Sequence, residues 1–184
     1  VVDFFNTQIN ITNLTNVPYV IQKNNELNIS FDTKVLGEIH LKGNFKFMMN
    51  SDNGNFVANG HTTEFDASKL NKVSVPMGLI KVNSGTINSI DFNFSGNNTS
   101  AKGDMVMKYD GLKIDVLKRD KNTKEIKKRG LASMAANMMV AKSNPGKDGL
   151  RKVTPHFDRD INKSFLNLVW KTLFTGMKET VGIP

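Results

Sequence analysis

From Leu27 to Phe47 every second residue faces the same chemical demand. The odd positions read Leu27, Ile29, Phe31, Thr33, Val35, Gly37, Ile39, Leu41, Gly43, Phe45 and Phe47. The even positions are polar or charged except at Leu36. Side chains on a strand alternate between the two faces of a sheet, so this pattern predicts β-structure with one buried and one wet face. Read as one continuous strand, the stretch would span about 70 Å at the usual rise per residue. Such a length suits an elongated, curved sheet. Gly37 and Gly43 then fall on the apolar face, where a missing side chain permits a bend or a bulge. A three-residue turn at Leu36–Glu38 preserves the same parity, so a hairpin is the competing reading. No Asn-Gly, Asp-Gly or Pro marks a turn there, and continuity is the expectation.

The flanking segments extend the sheet. Residues 1–11 place Phe5, Thr7, Ile9 and Ile11 in register as a preceding strand, and Asn13 to Pro18 is turn-rich. Ser51-Asp52-Asn53-Gly54 carries hairpin chemistry, and Phe56, Ala58 and Gly60 return on the next strand. Asp66 is placed to cap a short helical turn over Ala67–Asn71. Gly85-Thr86-Ile87 opens a strand with Ile90, Phe92 and Phe94 on one face, and Gly96-Asn97-Asn98 turns it. Met105, Met107 and Tyr109 run back. Asp110-Gly111 is expected to turn again into Leu112, Ile114 and Val116. Strands joined by tight turns make an antiparallel meander.

The last third changes character. Arg119 to Arg129 is a charged bridge. Helical spacing follows over residues 130–142, at Leu131, Met134, Ala135, Met138 and Met139, until Asn144-Pro145-Gly146 stops it. Asp158 or Asp160 is expected to start a final helix, about Asn162 to Glu179, whose apolar face carries Phe165, Leu166, Val169, Trp170, Leu173, Phe174 and Met177. That face has two readings: core packing against the sheet, or contact with a membrane interface. The methionine stripe reads as core filler.

Composition narrows the chemistry. Among 184 residues there is no cysteine, which removes disulfides and thiolate metal sites, and the net charge of +8 admits nucleic acid or anionic lipid as partners. The basic run Lys118 to Arg129 has no interleaved aromatics on which bases could stack, so nucleic-acid binding is not expected. His40, His61 and His156 lack metal-ligand spacing, and His156-Phe157-Asp158-Arg159-Asp160 reads as a loop rather than a base and its orienter. Gly146-Lys147-Asp148-Gly149 lacks phosphate-loop spacing and reads as a turn. No stretch is long and apolar enough to span a bilayer as a helix. The chain opens at Val1 within strand-like sequence and without an initiator Met, so it reads as a piece of a longer protein.

Residues 78–116 carry a further pattern. Ser84-Gly85 leads into Ile90-Asp91-Phe92-Asn93-Phe94 and Gly96-Asn97, followed by Tyr109, Leu112-Lys113 and Val116-Leu117. With the upstream long alternating segment, the "NGNFVANG" stretch and the ending "FLNLVWKTLFTGMKETVGI", this resembles the C-terminal region of AsmA-like bacterial envelope proteins, relatives of the TamB-type bridge proteins. The likeness covers about residues 26–183. It implies an elongated, curled antiparallel sheet with an apolar groove. It also implies a role in phospholipid movement between membranes or in outer-membrane assembly, in the periplasm of a Gram-negative cell, with a parent anchored in the inner membrane. It supplies no catalytic residues.

The expected architecture is mainly β with a C-terminal α part: a sheet over 1–118, a charged linker over 119–129, and a helical segment with two helices over 130–184. The expected activity is non-catalytic, with no cofactor and no metal. The wall offered to an acyl chain is Phe31, Val35, Ile39, Leu41, Phe45, Phe47, Phe92 and Phe94, because a long apolar face must be covered by protein or ligand. Phe165, Val169, Trp170, Leu173 and Phe174 are expected to cap the groove or touch a membrane. The partner is a phospholipid or other acyl-chain lipid, with a membrane surface or envelope proteins as further contacts. The alternative is a structural, protein-docking module whose helices fill the groove.

Overall fold

The computed structural model describes residues 2–120, 125–130 and 140–183. One antiparallel sheet dominates. Its strands are β1 (Phe4–Thr12), β2 (Glu26–Val35), β3 (Ile39–Met48), β4 (Phe56–Thr62), β5 (Phe65–Asp66), β6 (Ile80–Gly96), β7 (Ser100–Arg119), β8 (Ile126–Lys128) and β9 (His156–Asp158). Their order is β1-β2-β3-β4-β6-β7-β8, with β5 on β6 and β9 on β7, and the sheet does not close on itself. Among the described residues the α-helices are α1 (Pro18–Lys23), α2 (Asn71–Gly78) and α3 (Phe165–Val181), and a 3₁₀ turn over Ala67–Leu70, capped by Asp66, precedes α2. The methionine-rich stretch at 131–139, expected to be helical, lies outside the described residues.

The long alternating segment is a hairpin, not one strand. Val35 pairs with Ile39 across a three-residue turn, and pairing runs without a slip to Glu26 opposite Met48. The turn is made by Leu36 at φ 54° and Gly37 at φ 95°. Leu36, a residue that rarely adopts such a conformation, is held there because its side chain is almost fully buried and its N–H donates to the Asp3 carbonyl at 3.1 Å. Tertiary packing thus supplies what turn chemistry does not. The parity survives, so Phe31 and Phe45 do share a face, with ring centroids 5.1 Å apart.

Two further local readings are corrected. Asp110-Gly111 does not reverse the chain; β7 runs on through Gly111 at φ 63°, and Gly85 at φ 134° lies on the facing stretch of β6. The ladder shifts register around that point, between Val82 and Thr86, as bulges do. β6 therefore starts at Ile80 rather than Gly85. In β1 a shift between Phe5 and Gln8, with Asn6 at φ 47°, sets Phe5 opposite Lys34 while Phe4 faces Val35 and Ile9 faces Phe31. The apolar face of β1 consequently carries Phe4, Thr7, Ile9 and Ile11, without Phe5.

The two edges of the sheet differ. On the β7 side, β8 pairs Leu117–Arg119, β9 pairs Ser100–Lys102, and Val153 and Asn144 bridge Met105 and Tyr109. The described part of the expected linker is thus partly strand; residues 140–142, expected to end the first helix, are not helical, and much of 142–158 runs along β7. Asn144 holds this strip. It is buried, its Nδ2 donates to the carbonyls of Met107 (2.7 Å) and Arg151 (2.9 Å), and its Oδ1 accepts from the Arg151 N–H at 2.7 Å. β1, by contrast, pairs only with β2 among the described residues, and all nine of its residues are exposed.

Candidate functional site

The inner face of the sheet is organised by phenylalanines lying over glycines. Gly43 stands opposite Phe31, Gly60 opposite Phe92, and Gly96 opposite Phe56. A Cβ on each glycine would come within 2.5–2.7 Å of the facing ring. Each ring therefore folds across the neighbouring strand and fills the space the glycine leaves, a cross-strand device that also sets register. Phe92 in turn stacks on Phe94, 5.0 Å between centroids.

Helix α3 lies on this face. Ser164 caps it, its Oγ accepting from the Asn167 N–H at 3.3 Å, and Gly182 ends it at φ 82°. Neither of the expected aspartates starts it: Asp158 belongs to β9, and Asp160 accepts from the Asn162 N–H before the helix begins. The most buried row is Leu168, Thr172, Gly176 and Thr180, not the row of large apolar residues. Gly176 permits the approach, since a Cβ there would lie 2.5 Å from the Met105 Sδ and 2.9 Å from Pro155 Cγ. The two threonine hydroxyls are satisfied within the helix, donating to the carbonyls of Leu168 (3.0 Å) and Gly176 (2.7 Å). The large side chains flank this row on either side.

On one flank they close a cavity of about 330 Å³ between α3 and strands β1–β3. Of the sequence-predicted wall, Phe31, Val35, Leu41, Phe45 and Phe92 line it; of the predicted cap, Val169, Trp170 and Leu173 do. Phe4, Ile9, Ile29 and Leu166 complete the apolar lining. The rest of the predicted set lies elsewhere. Phe94 is fully buried in the centre of the core and Ile39 is buried beside the hairpin turn. Phe47 belongs with Phe45, Phe56 and Phe165 to an aromatic cluster in which the Phe165 ring lies 4.7–5.3 Å from the other three. Phe174 packs on the other flank, at Gly78, beside a void of only about 60 Å³.

The polar atoms of the cavity are already engaged. Its lining contains two hydroxyls, on Thr7 and Thr33, which hydrogen-bond to one another at 2.7 Å, and Thr33 reaches the Phe5 carbonyl at 3.2 Å. The indole N–H of Trp170 donates at 3.1 Å to the Sδ of Met77, which is not part of the cavity lining. Ile9 and Leu166, one from the sheet edge and one from the helix, are both largely exposed, so the cavity opens between β1 and α3. A larger pocket of about 720 Å³ is framed by one loop, residues 141–151, and its lining is more polar, with Lys142, Lys147, Asp148 and Arg151 among it.

The charged residues of the β2–β3 hairpin lie on the opposite face of the sheet. Asp32 accepts from His40 Nε2 at 2.5 Å and from Lys42 Nζ at 3.0 Å, and the two together hold its carboxyl below the ordinary value, His40 more strongly. His61 meets Asp91 at 2.6 Å, and His156 lies 3.5 Å from Asp158. Among the described residues no three His, Cys, Asp or Glu side chains group as metal ligands. Sequence reasoning missed Phe4, Ile9, Ile29 and Leu166 as lining. Ile9 and Ile29 carried the alternation signal, but Phe4 depended on the β1 register shift.

No family model, no curated protein and no solved structure matches this chain.

Proposed function

We propose that this chain is a non-catalytic module that holds a lipid acyl chain in the cavity between α3 and strands β1–β3. The observation that carries the reading is chemical. The cavity is walled by aliphatic and aromatic side chains, its two hydroxyls bond to each other, and no polar atom is left to orient a polar guest. Ligand pockets normally add a few placed polar groups for specificity. A site without them suits a hydrocarbon chain, which gains from leaving water and needs no fixed position. The volume falls near the lower end of small-ligand pockets, which span about 300–1,000 Å³. One chain segment fits that space better than a whole lipid, whose headgroup would remain at the mouth between Ile9 and Leu166.

The resemblance of residues 78–116 to AsmA-like envelope proteins supports the same reading and extends it to phospholipid traffic in the cell envelope. The structural alternative draws on the other half of the inner face, where α3 covers β6 and β7 and leaves Phe94, Ile90, Met105 and Tyr109 almost fully buried. That half serves as core.

Trp170 is the single tryptophan of the chain and lines the cavity, so it reports on the site directly. Titration with a soluble brominated fatty acid is expected to quench its fluorescence saturably, and Val169→Phe is expected to weaken that binding by filling the space. A Trp170 signal that the brominated chain leaves unchanged defeats the proposal.

A further inference from the structure

The connection between β1 and β2 is unusual in what it exposes. Among the described residues twelve large hydrophobic side chains are exposed, and eight of them fall between Phe4 and Val20. Scattered exposed apolar residues are ordinary, but a concentrated patch marks a contact surface. Four lie in the connection itself: Leu14 is 72% exposed, Tyr19 63%, and Val17 and Val20 are also exposed. Helix α1 buries none of its residues. It is nevertheless a defined structure. The Asn13 Nδ2 ties the two ends of the loop together by donating to the carbonyls of Asn24 and Glu26, each at 2.9 Å, and the Met49 N–H donates to the Asn25 carbonyl at 2.8 Å. Its apolar residues are thus presented to solvent on a closed, braced tip.

Charge and position select the partner. From Phe4 to Asn25 the chain has no acidic residue and one cation, Lys23, whose ammonium lies 4.3 Å from the centroid of the Tyr19 ring. Tyrosine with an adjacent lysine suits the headgroup layer of a bilayer, where the ring is half immersed and the cation meets lipid phosphate. Position adds continuity with the cavity. Ile11 pairs with Ile29, Leu27 is the next inward residue of β2, and this strip runs from the cavity lining at Ile9 and Ile29 to the neck of the loop.

We propose that the β1–β2 connection is a membrane-docking tip, placing Leu14, Val17, Tyr19 and Val20 in the interface of an anionic bilayer at the entrance to the acyl-chain cavity. The role of the tip as an entrance rests on the acyl-chain reading; docking itself does not. No helix among the described residues is long and apolar enough to cross a membrane, and docking requires only interfacial depth.

The test uses vesicles of phosphatidylglycerol and phosphatidylcholine in a sedimentation assay. The double variant Leu14→Asp/Tyr19→Asp is expected to lower vesicle partitioning by about tenfold or more, since two apolar contacts become like charges at an anionic surface. Ile161→Asp, at a position 78% exposed and remote in sequence, is the control and should change it little. Quenching of Trp170 by soluble brominated fatty acid should persist in the double variant, which separates loss of docking from loss of the cavity. A second readout avoids disruptive changes: Tyr19→Trp in a Trp170→Phe background should show a blue-shifted emission on vesicle addition. Absence of vesicle binding by the unaltered chain, equal losses in the double variant and the control, or an unshifted Trp at position 19 would each overturn the proposal, and a tip that binds protein instead would give the first or the last of these.

Discussion

Gly60→Ala is a substitution that simple strand preference and this structure judge oppositely. Within a strand, glycine is less favourable than alanine by about 0.5–1 kcal/mol, so the change should stabilise a generic strand. Here a Cβ at position 60 would lie 2.7 Å from both Cε1 and Cζ of Phe92 and 3.2 Å from the Lys42 carbonyl oxygen. The ring has little room to retreat on one side, because Phe92 is nearly buried and stacks on Phe94 at 5.0 Å. The free direction leads into the cavity that Phe92 lines. Overpacking of this kind costs about 1–3 kcal/mol, so the net effect is a loss of about 1 kcal/mol, or a fall in Tm of about 2–4 °C for a domain of this size. The displaced ring should also weaken brominated-chain quenching of Trp170. A double-mutant cycle with Phe92→Leu supplies the decisive measurement: removing the ring relieves the clash, so the pair should be less destabilised than the sum of the singles. A stabilised Gly60→Ala protein, or strict additivity with Phe92→Leu, would refute the ring-over-glycine argument.

Three other outcomes are expected. Tyr109→Phe removes the hydroxyl that donates to the Ala141 carbonyl at 2.9 Å from a fully buried ring, and urea unfolding should show a loss of about 1–2 kcal/mol. Lys128, 2.6 Å from Asp115, holds that carboxyl below its ordinary 3.8, so the pair stabilises the fold above that value and the contribution fades as pH falls through the lowered one; Lys128→Gln should flatten the acid limb of the Tm–pH profile, and an unchanged limb would count against the pair. Truncation after Asp160 removes α3 and uncovers the inner face over β6 and β7, so the shortened chain should aggregate in light scattering; a monomeric product with an unchanged melt would show that α3 contributes nothing to the core.

The alternation between Leu27 and Phe47 determined by itself that these residues form β-structure with one apolar face, and which residues share it. It did so because side-chain parity along a strand is a local property and survives the three-residue turn at Leu36–Glu38 intact. The Asp66 cap was legible for the same reason: its carboxylate accepts from the Ser68 N–H, two residues away. The antiparallel order and the final amphipathic helix likewise followed from nearby signals. What local signals could not carry was anything decided between distant segments. The hairpin at Leu36 exists because the core takes that side chain and Asp3 takes its N–H. The centre of the α3 interface is Thr172, Gly176 and Thr180, residues that read as polar or helix-breaking until Met105 and Pro155 are seen pressed against Gly176. The cavity shares this dependence. Its aromatic and aliphatic walls were visible as a face, but its position, its closure by one flank of α3 and its opening between Ile9 and Leu166 follow from where helix and sheet meet. That is set by packing of small residues at close range, a property of the assembled chain and of no single segment.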